Sequence, residues 1–214
     1  MTTSSPKRID RSIVLMWIGA NAIGLTIGQI AGAYVGFLIG GLVAGLLGEQ
    51  AARVIAFIAA QLITGASLGV MERLFLNREI ELTRLWIVVS AVGWAGGFLI
   101  ASLSLEITTQ VFDPALSNAL SWAVVGLGMG VAQFWVLRQL VVRAAWWIAF
   151  NIAAWTLAPL LGLLIVTAVA SLGLALDSNT GGLLLSLSMG AVVGALTGVP
   201  LVWLLREPVE KHAM

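Results

Sequence analysis

The chain has 214 residues, 60% of them hydrophobic and only 10% charged, with a mean hydropathy of +1.03. A water-soluble domain carries about 25% charged residues, so a soluble globular fold is excluded, and a net charge of +1 gives no nucleic-acid footprint. Cysteine is absent and the one histidine, His212, lies in a charged tail, which excludes disulfides, thiolate metal sites, a Ser-His-Asp triad and histidine ligation of a buried haem or chlorophyll.

The N-terminus is polar and basic, with Lys7, Arg8 and Arg11, and leads into a long apolar run. A secretory h-region is about 7–15 residues. Ile13 to Leu47 is much longer and holds no formal charge, so it reads as a retained first span. Further apolar runs follow at Val54 to Met71, Leu85 to Leu105, Ala115 to Leu137, Ala144 to Leu176 and Gly181 to Leu205. One spanning helix needs about 20 residues. The first and fifth runs exceed that, yet fall short of the roughly 40 residues that two helices and a turn require. Each is expected to be one long or kinked helix, with Pro159 kinking the fifth by removing a donor.

Six spans place both termini and the even-to-odd connections on one side. That side holds Lys7, Arg8, Arg11, Arg73, Arg78, Arg84, Arg138, Arg143, Arg206 and Lys211, and the other only Arg53. The asymmetry orients both termini toward the cytoplasm. The outer connections carry Glu49, Glu106, Asp113 and Asp177.

The odd helices open alike, with Trp17-x3-Asn21, Trp86-x3-Ser90 and Trp147-x3-Asn151. The even helices end alike. Gly126-x3-Gly130-Val-Ala-Gln133-Phe-Trp135-Val-Leu-Arg138 matches Gly194-x3-Gly198-Val-Pro-Leu201-Val-Trp203-Leu-Leu-Arg206 at one constant shift, and Gly65-x3-Gly69-Val-Met-Glu72-Arg73 matches more loosely. Self-similarity of this kind marks a repeat architecture. The expected fold is all-α: one transmembrane domain over 1–214, with six transmembrane helices forming three two-helix hairpin repeats at 12–78, 83–139 and 143–207. Each repeat crosses twice, so the copies share one orientation around a pseudo-threefold axis along the membrane normal.

Glycines four apart share a helix face and let a neighbouring backbone approach, which assigns Gly65, Gly69, Gly126, Gly130, Gly194 and Gly198 to helix packing. Gly24, Gly28, Gly36 and Gly40 repeat the device in the first helix. Trp17, Trp86, Trp135, Trp146, Trp147 and Trp203 lie beside basic residues and read as an interfacial aromatic belt. Trp94 and Trp155, eight residues deeper than Trp86 and Trp147, read as core fillers or as contacts for a flat apolar ligand. Intramembrane polar side chains are the default functional candidates. Asn21, Ser90, Asn151 and Gln133 form a candidate polar ring, with Gln29 and Gln61 also intramembrane, and hydrogen bonding between helices is the plainer reading. Glu72, Arg73, Arg138 and Arg206 form a candidate interfacial charge cluster, with Arg78, Glu79, Glu81 and Arg84 nearby, because long side chains at helix ends reach water. No charge falls at mid-span, which argues against a proton relay, an ion-coupled pump or a voltage sensor. No enzyme motif is present, so no catalytic or metal residue is assigned and the cofactor is unknown.

The pattern Gly-x3-Gly-x2-Gln-x-Trp-x-Leu-Arg over residues 126–138, followed by Arg143 and the Trp146-Trp147 pair, resembles a hairpin motif of uncharacterised bacterial multi-pass membrane proteins from phototrophic and filamentous bacteria. The resemblance covers about half the chain and implies no activity. This sequence departs from it with Glu72 in the first copy and Leu201 in the third. The resulting expectation is a non-enzymatic structural or accessory subunit of a larger membrane complex, with a photosynthetic complex as one setting. Its partners would be the lipid bilayer and other membrane-protein subunits, and not nucleic acid. The alternatives are a small-solute transporter or channel with a site on the pseudo-threefold axis, and a lipid- or quinone-binding membrane protein.

Overall fold

A computed structural model describes residues 12–77, 82–174 and 176–206. Lys7, Arg8, Arg11, Arg78, Glu79, Glu81, Lys211 and His212 lie outside the described residues, as does the side chain of Glu106.

The described chain is all-helical, and six helices are long and apolar enough to cross a membrane. They are α1 (Ser12–Leu47), α2 (Glu49–Leu76), α3 (Leu85–Val111), α4 (Pro114–Leu137), α5 (Trp146–Ser171) and α6 (Ser178–Leu205). In lipid every backbone polar group must be satisfied inside the segment, which favours unbroken helices. The long first run is accordingly one helix of 36 residues, and α5 continues through Pro159.

Local chemistry sets the ends. Gly48, at φ 82°, stops α1 in the left-handed region and turns the chain into α2. Gly173, at φ 84°, follows the end of α5. Asp113 caps α4 by accepting from the Ala115 and Leu116 amides at 2.9 and 3.0 Å, with Pro114 at the first helical position. Asp177 caps α6 through the Thr180 amide, and that hydrogen bond holds its exposed carboxyl below the usual carboxylate range.

Each helix packs on its neighbours in sequence, and α6 returns to pack on α1. Among the described residues no other pair of helix backbones comes as close, so the six helices close into a ring. Side chains meet across its interior. The rings of Trp17 (α1) and Trp147 (α5) lie 6.1 Å apart, and those of Trp94 (α3) and Trp155 (α5) 4.7 Å apart. The outside is apolar, with Phe37 80% and Leu46 83% exposed. Such a surface is stable only against lipid or another apolar partner.

The interior is layered. One apolar cluster gathers Trp17, Trp86, Trp147, Leu76, Leu137 and Leu201 at the end where Ser12 and Arg206 lie. A second, deeper cluster gathers Leu25, Leu68, Trp94, Met129, Trp155 and Val193. Polar residues stand between them, one helical turn from each: Glu72 between Leu68 and Leu76, Gln133 between Met129 and Leu137, and Thr197 between Val193 and Leu201. All nine side chains are buried.

Candidate functional site

The polar layer is the candidate site. It forms because residues four apart share a helix face. On the odd helices the inward rows are Trp17–Asn21–Leu25, Trp86–Ser90–Trp94 and Trp147–Asn151–Trp155, and all are buried. On the even helices glycines bring the next backbone close. A Cβ at Gly65 would stand 2.7 Å from Ser90 O, one at Gly126 2.6 Å from Asn151 O, and one at Gly190 2.5 Å from Asn21 O. One turn on, Gly69, Gly130 and Gly194 face the Cα atoms of Ile87, Ile148 and Ile18 at 3.0, 2.9 and 2.6 Å. A side chain at any of these points would collide with backbone. Gly198, further along, meets the side chains of Trp17 and Val14 at 3.2 and 3.3 Å.

Three residues after the second glycine stands an acceptor for an indole on the adjoining odd helix. Trp86 Nε1–H donates to Glu72 Oε2 at 2.9 Å, Trp147 Nε1–H to Gln133 Oε1 at 2.8 Å, and Trp17 Nε1–H to Thr197 Oγ1 at 2.8 Å. Gln133 links two of these pairs. Its Nε2 donates to Glu72 Oε2 at 2.8 Å and to Ser90 Oγ at 3.0 Å. A single connected network therefore joins α2, α3, α4 and α5 through Glu72, Trp86, Ser90, Gln133 and Trp147.

Several expectations change on this geometry. Glu72 does not join an interfacial charge cluster. It is 3% exposed, on the same face as Leu68 and Leu76, whereas Arg73 is rotated away and donates to Leu82 O at 3.1 Å. Arg138 lies over the Trp135 ring at 3.8 Å, and Arg206 is an exposed C-terminal cap. Glu72 is thus parted from Arg73, because adjacent positions on a helix point about 100° apart. The polar ring is also only partly brought together. Ser90 and Gln133 bond to each other, but Asn21 and Asn151 donate back to Trp17 O and Trp147 O of their own helices, each at 3.0 Å. Gln61 accepts from Trp94 Nε1 at 2.9 Å, while Gln29 is exposed.

Trp17, Trp86 and Trp147 are no belt. They are buried to 1% exposure or less, and each has an internal acceptor. Trp135 and Trp146, half exposed, do face outward. Deeper in, Trp94, Phe98, Trp122 and Trp155 close an aromatic circuit, with neighbouring centroids 4.7 to 6.1 Å apart. Trp155 Nε1 and Ser117 Oγ are buried there or nearby without a hydrogen-bond partner among the described residues.

Thr197 is a site residue that the sequence candidates do not include. Its signal was present as Gly190-x3-Gly194-x2-Thr197, parallel to Gly65-x3-Gly69-x2-Glu72 and Gly126-x3-Gly130-x2-Gln133. Among the described residues no group of three or more metal-ligating side chains comes together. Compared with known proteins, the chain matches no family model, no curated protein and no solved structure.

Proposed function

We propose that this chain is a non-enzymatic structural or accessory subunit, integral to a bacterial plasma membrane with both termini cytoplasmic, that packs its apolar exterior against other membrane proteins. In the same reading, its six helices are three hairpins related by a pseudo-threefold axis. One observation carries the proposal: three of the interior polar groups on which a solute site would draw are engaged with indoles. Glu72, Gln133 and Thr197 each accept from a tryptophan, and the three indoles are themselves buried. A transport site requires polar groups free to replace the solvation of a cargo, whereas a network satisfied within the protein rigidifies and specifies one packing. The hairpin relation draws on the three glycine–tryptophan joints, in which each even helix meets the next odd helix in the same manner.

The test is isolation from native membranes in mild detergent, after brief cross-linking. The expected result is a discrete assembly holding the same membrane-protein companions at fixed stoichiometry. A chain that runs alone and, reconstituted by itself into vesicles, carries a small solute across them would overturn the proposal in favour of a transporter or channel.

A further inference from the structure

The α3–α4 pair leaves an apolar groove of about 690 Å³ on the outside of the ring, away from the polar network. Its origin is the close approach of the two backbones. A Cβ at Gly93 would stand 2.8 Å from Gly128 O, and one at Gly97 would stand 2.9 Å from the Val125 Cα. Two helices that touch along glycines leave a channel between their flanking side chains. Gly96 deepens it, because a Cβ there would meet nothing within 4 Å.

The groove has a direction. Its α4 wall runs from Val124 to Trp135, about 16 Å at 1.5 Å per residue. That is about half of a hydrocarbon core roughly 30 Å thick, the depth of one leaflet. Trp135 stands at the end nearer the basic connections and is 52% exposed. The exposed guanidinium of Arg138 lies over its ring at 3.8 Å and forms no ion pair among the described residues. Its N–H donors therefore stand at the mouth of an apolar channel of leaflet depth, and a guanidinium matches phosphate oxygens in pairs.

The geometry points to a binding site for one anionic phospholipid, with an acyl chain in the α3–α4 groove and the phosphate on Arg138. Charge and length together select this occupant. A flat apolar molecule such as a quinone leaves the guanidinium without a counter-charge, and a zwitterionic lipid brings a cation beside it. The site rests on the membrane-spanning reading of the helices and is independent of any subunit role.

The experiment uses the full chain reconstituted in vesicles of equal phosphatidylglycerol and phosphatidylcholine, extracted mildly and weighed by native mass spectrometry. Wild type is expected to retain one phosphatidylglycerol in preference to phosphatidylcholine. Arg138→Gln should reduce that preference about fivefold, whereas Arg206→Gln, exposed at the same end of the molecule, should leave it unchanged. Gly96→Phe, which fills the groove, should reduce retention of both lipids. Arg138 is exposed and Gly96 borders open space, so thermal unfolding of the variants should match wild type; if either misfolds, the other decides. Equal retention of the two lipids by wild type overturns the site. So does an equal loss in Arg138→Gln and Arg206→Gln, which reveals a diffuse charge effect, or full retention in Gly96→Phe.

Discussion

Glu72 shows how one carboxyl can be held deep in an apolar helix ring. Its Oε2 accepts from the Trp86 indole and from the Gln133 amide, so two otherwise stranded donors meet on one oxygen. Glutamine at this position keeps a carbonyl oxygen in place for both donors, and alanine removes it. Each hydrogen bond in a membrane interior is worth about 0.6 kcal/mol on average and up to about 1.7. Glu72→Ala should therefore lower the unfolding free energy by about 1–3 kcal/mol, and Glu72→Gln by less than half of that, measured by detergent-induced unfolding with tryptophan fluorescence. Equal losses would show that the carboxylate itself, and not its acceptor oxygen, holds the network. The sequence misplaced this residue for a clear reason. Arg73 beside it, and Arg78, Glu79, Glu81 and Arg84 further along, made the stretch read as a solvated helix end. The four-residue row Leu68–Glu72–Leu76 carried the opposite message, and helix periodicity outweighs neighbours in sequence when deciding which side chain turns inward.

At the scale of helices, glycine placement decides which faces join. Gly126 meets Asn151 O and the Ile152 Cα, atoms that cannot yield without moving α5. Gly96 meets open space. The two glycines thus make a matched pair. Gly126→Ala should cost about 1–3 kcal/mol through overpacking, while Gly96→Ala should be neutral or slightly stabilising through better helix propensity. Unfolding midpoints of the two variants in the same detergent check this, and a similar loss in both would mean that close backbone approach is not what distinguishes the two positions. The packing glycines were readable from the four-residue spacing, but which glycines of α6 do the packing was not. Trp203 and Arg206 mimic Trp135 and Arg138, and so align Gly194 and Gly198 with Gly126 and Gly130. The contacts instead set Gly190 and Gly194 against α1, in the way Gly126 and Gly130 sit against α5. Aromatic and basic residues at helix ends answer to the membrane interface, whereas the glycines answer to the neighbouring backbone, so the two signals can slip by a turn.

For the whole molecule, composition and the apolar runs made six spans legible from residue counts alone, and the six helices follow those runs closely. The closing of α6 onto α1 left no mark on hydropathy, because the α6 side of the joint is carried by Gly190, Gly194, Gly198 and Thr197. Orientation is open to a direct measurement, since the chain has no cysteine of its own. Asn179 and Gln139 are exposed at opposite ends of the helices. Asn179→Cys should react with an impermeant thiol reagent added to intact cells, and Gln139→Cys only after the membrane is opened. The reverse pattern would invert the assignment of the basic face.

The joint between α6 and α1 also puts a constraint on time. Every other helix pair can form as soon as its second member leaves the ribosome, but α1 must wait for the last helix of the chain. Until Gly190 to Gly198 are made, the face around Ile18 and Ala22 has lipid where a backbone belongs, and the Trp17 indole has no hydroxyl to bond. A nascent chain that stalls after α5 is therefore an unclosed arc in which the Trp17 indole lacks its Thr197 acceptor.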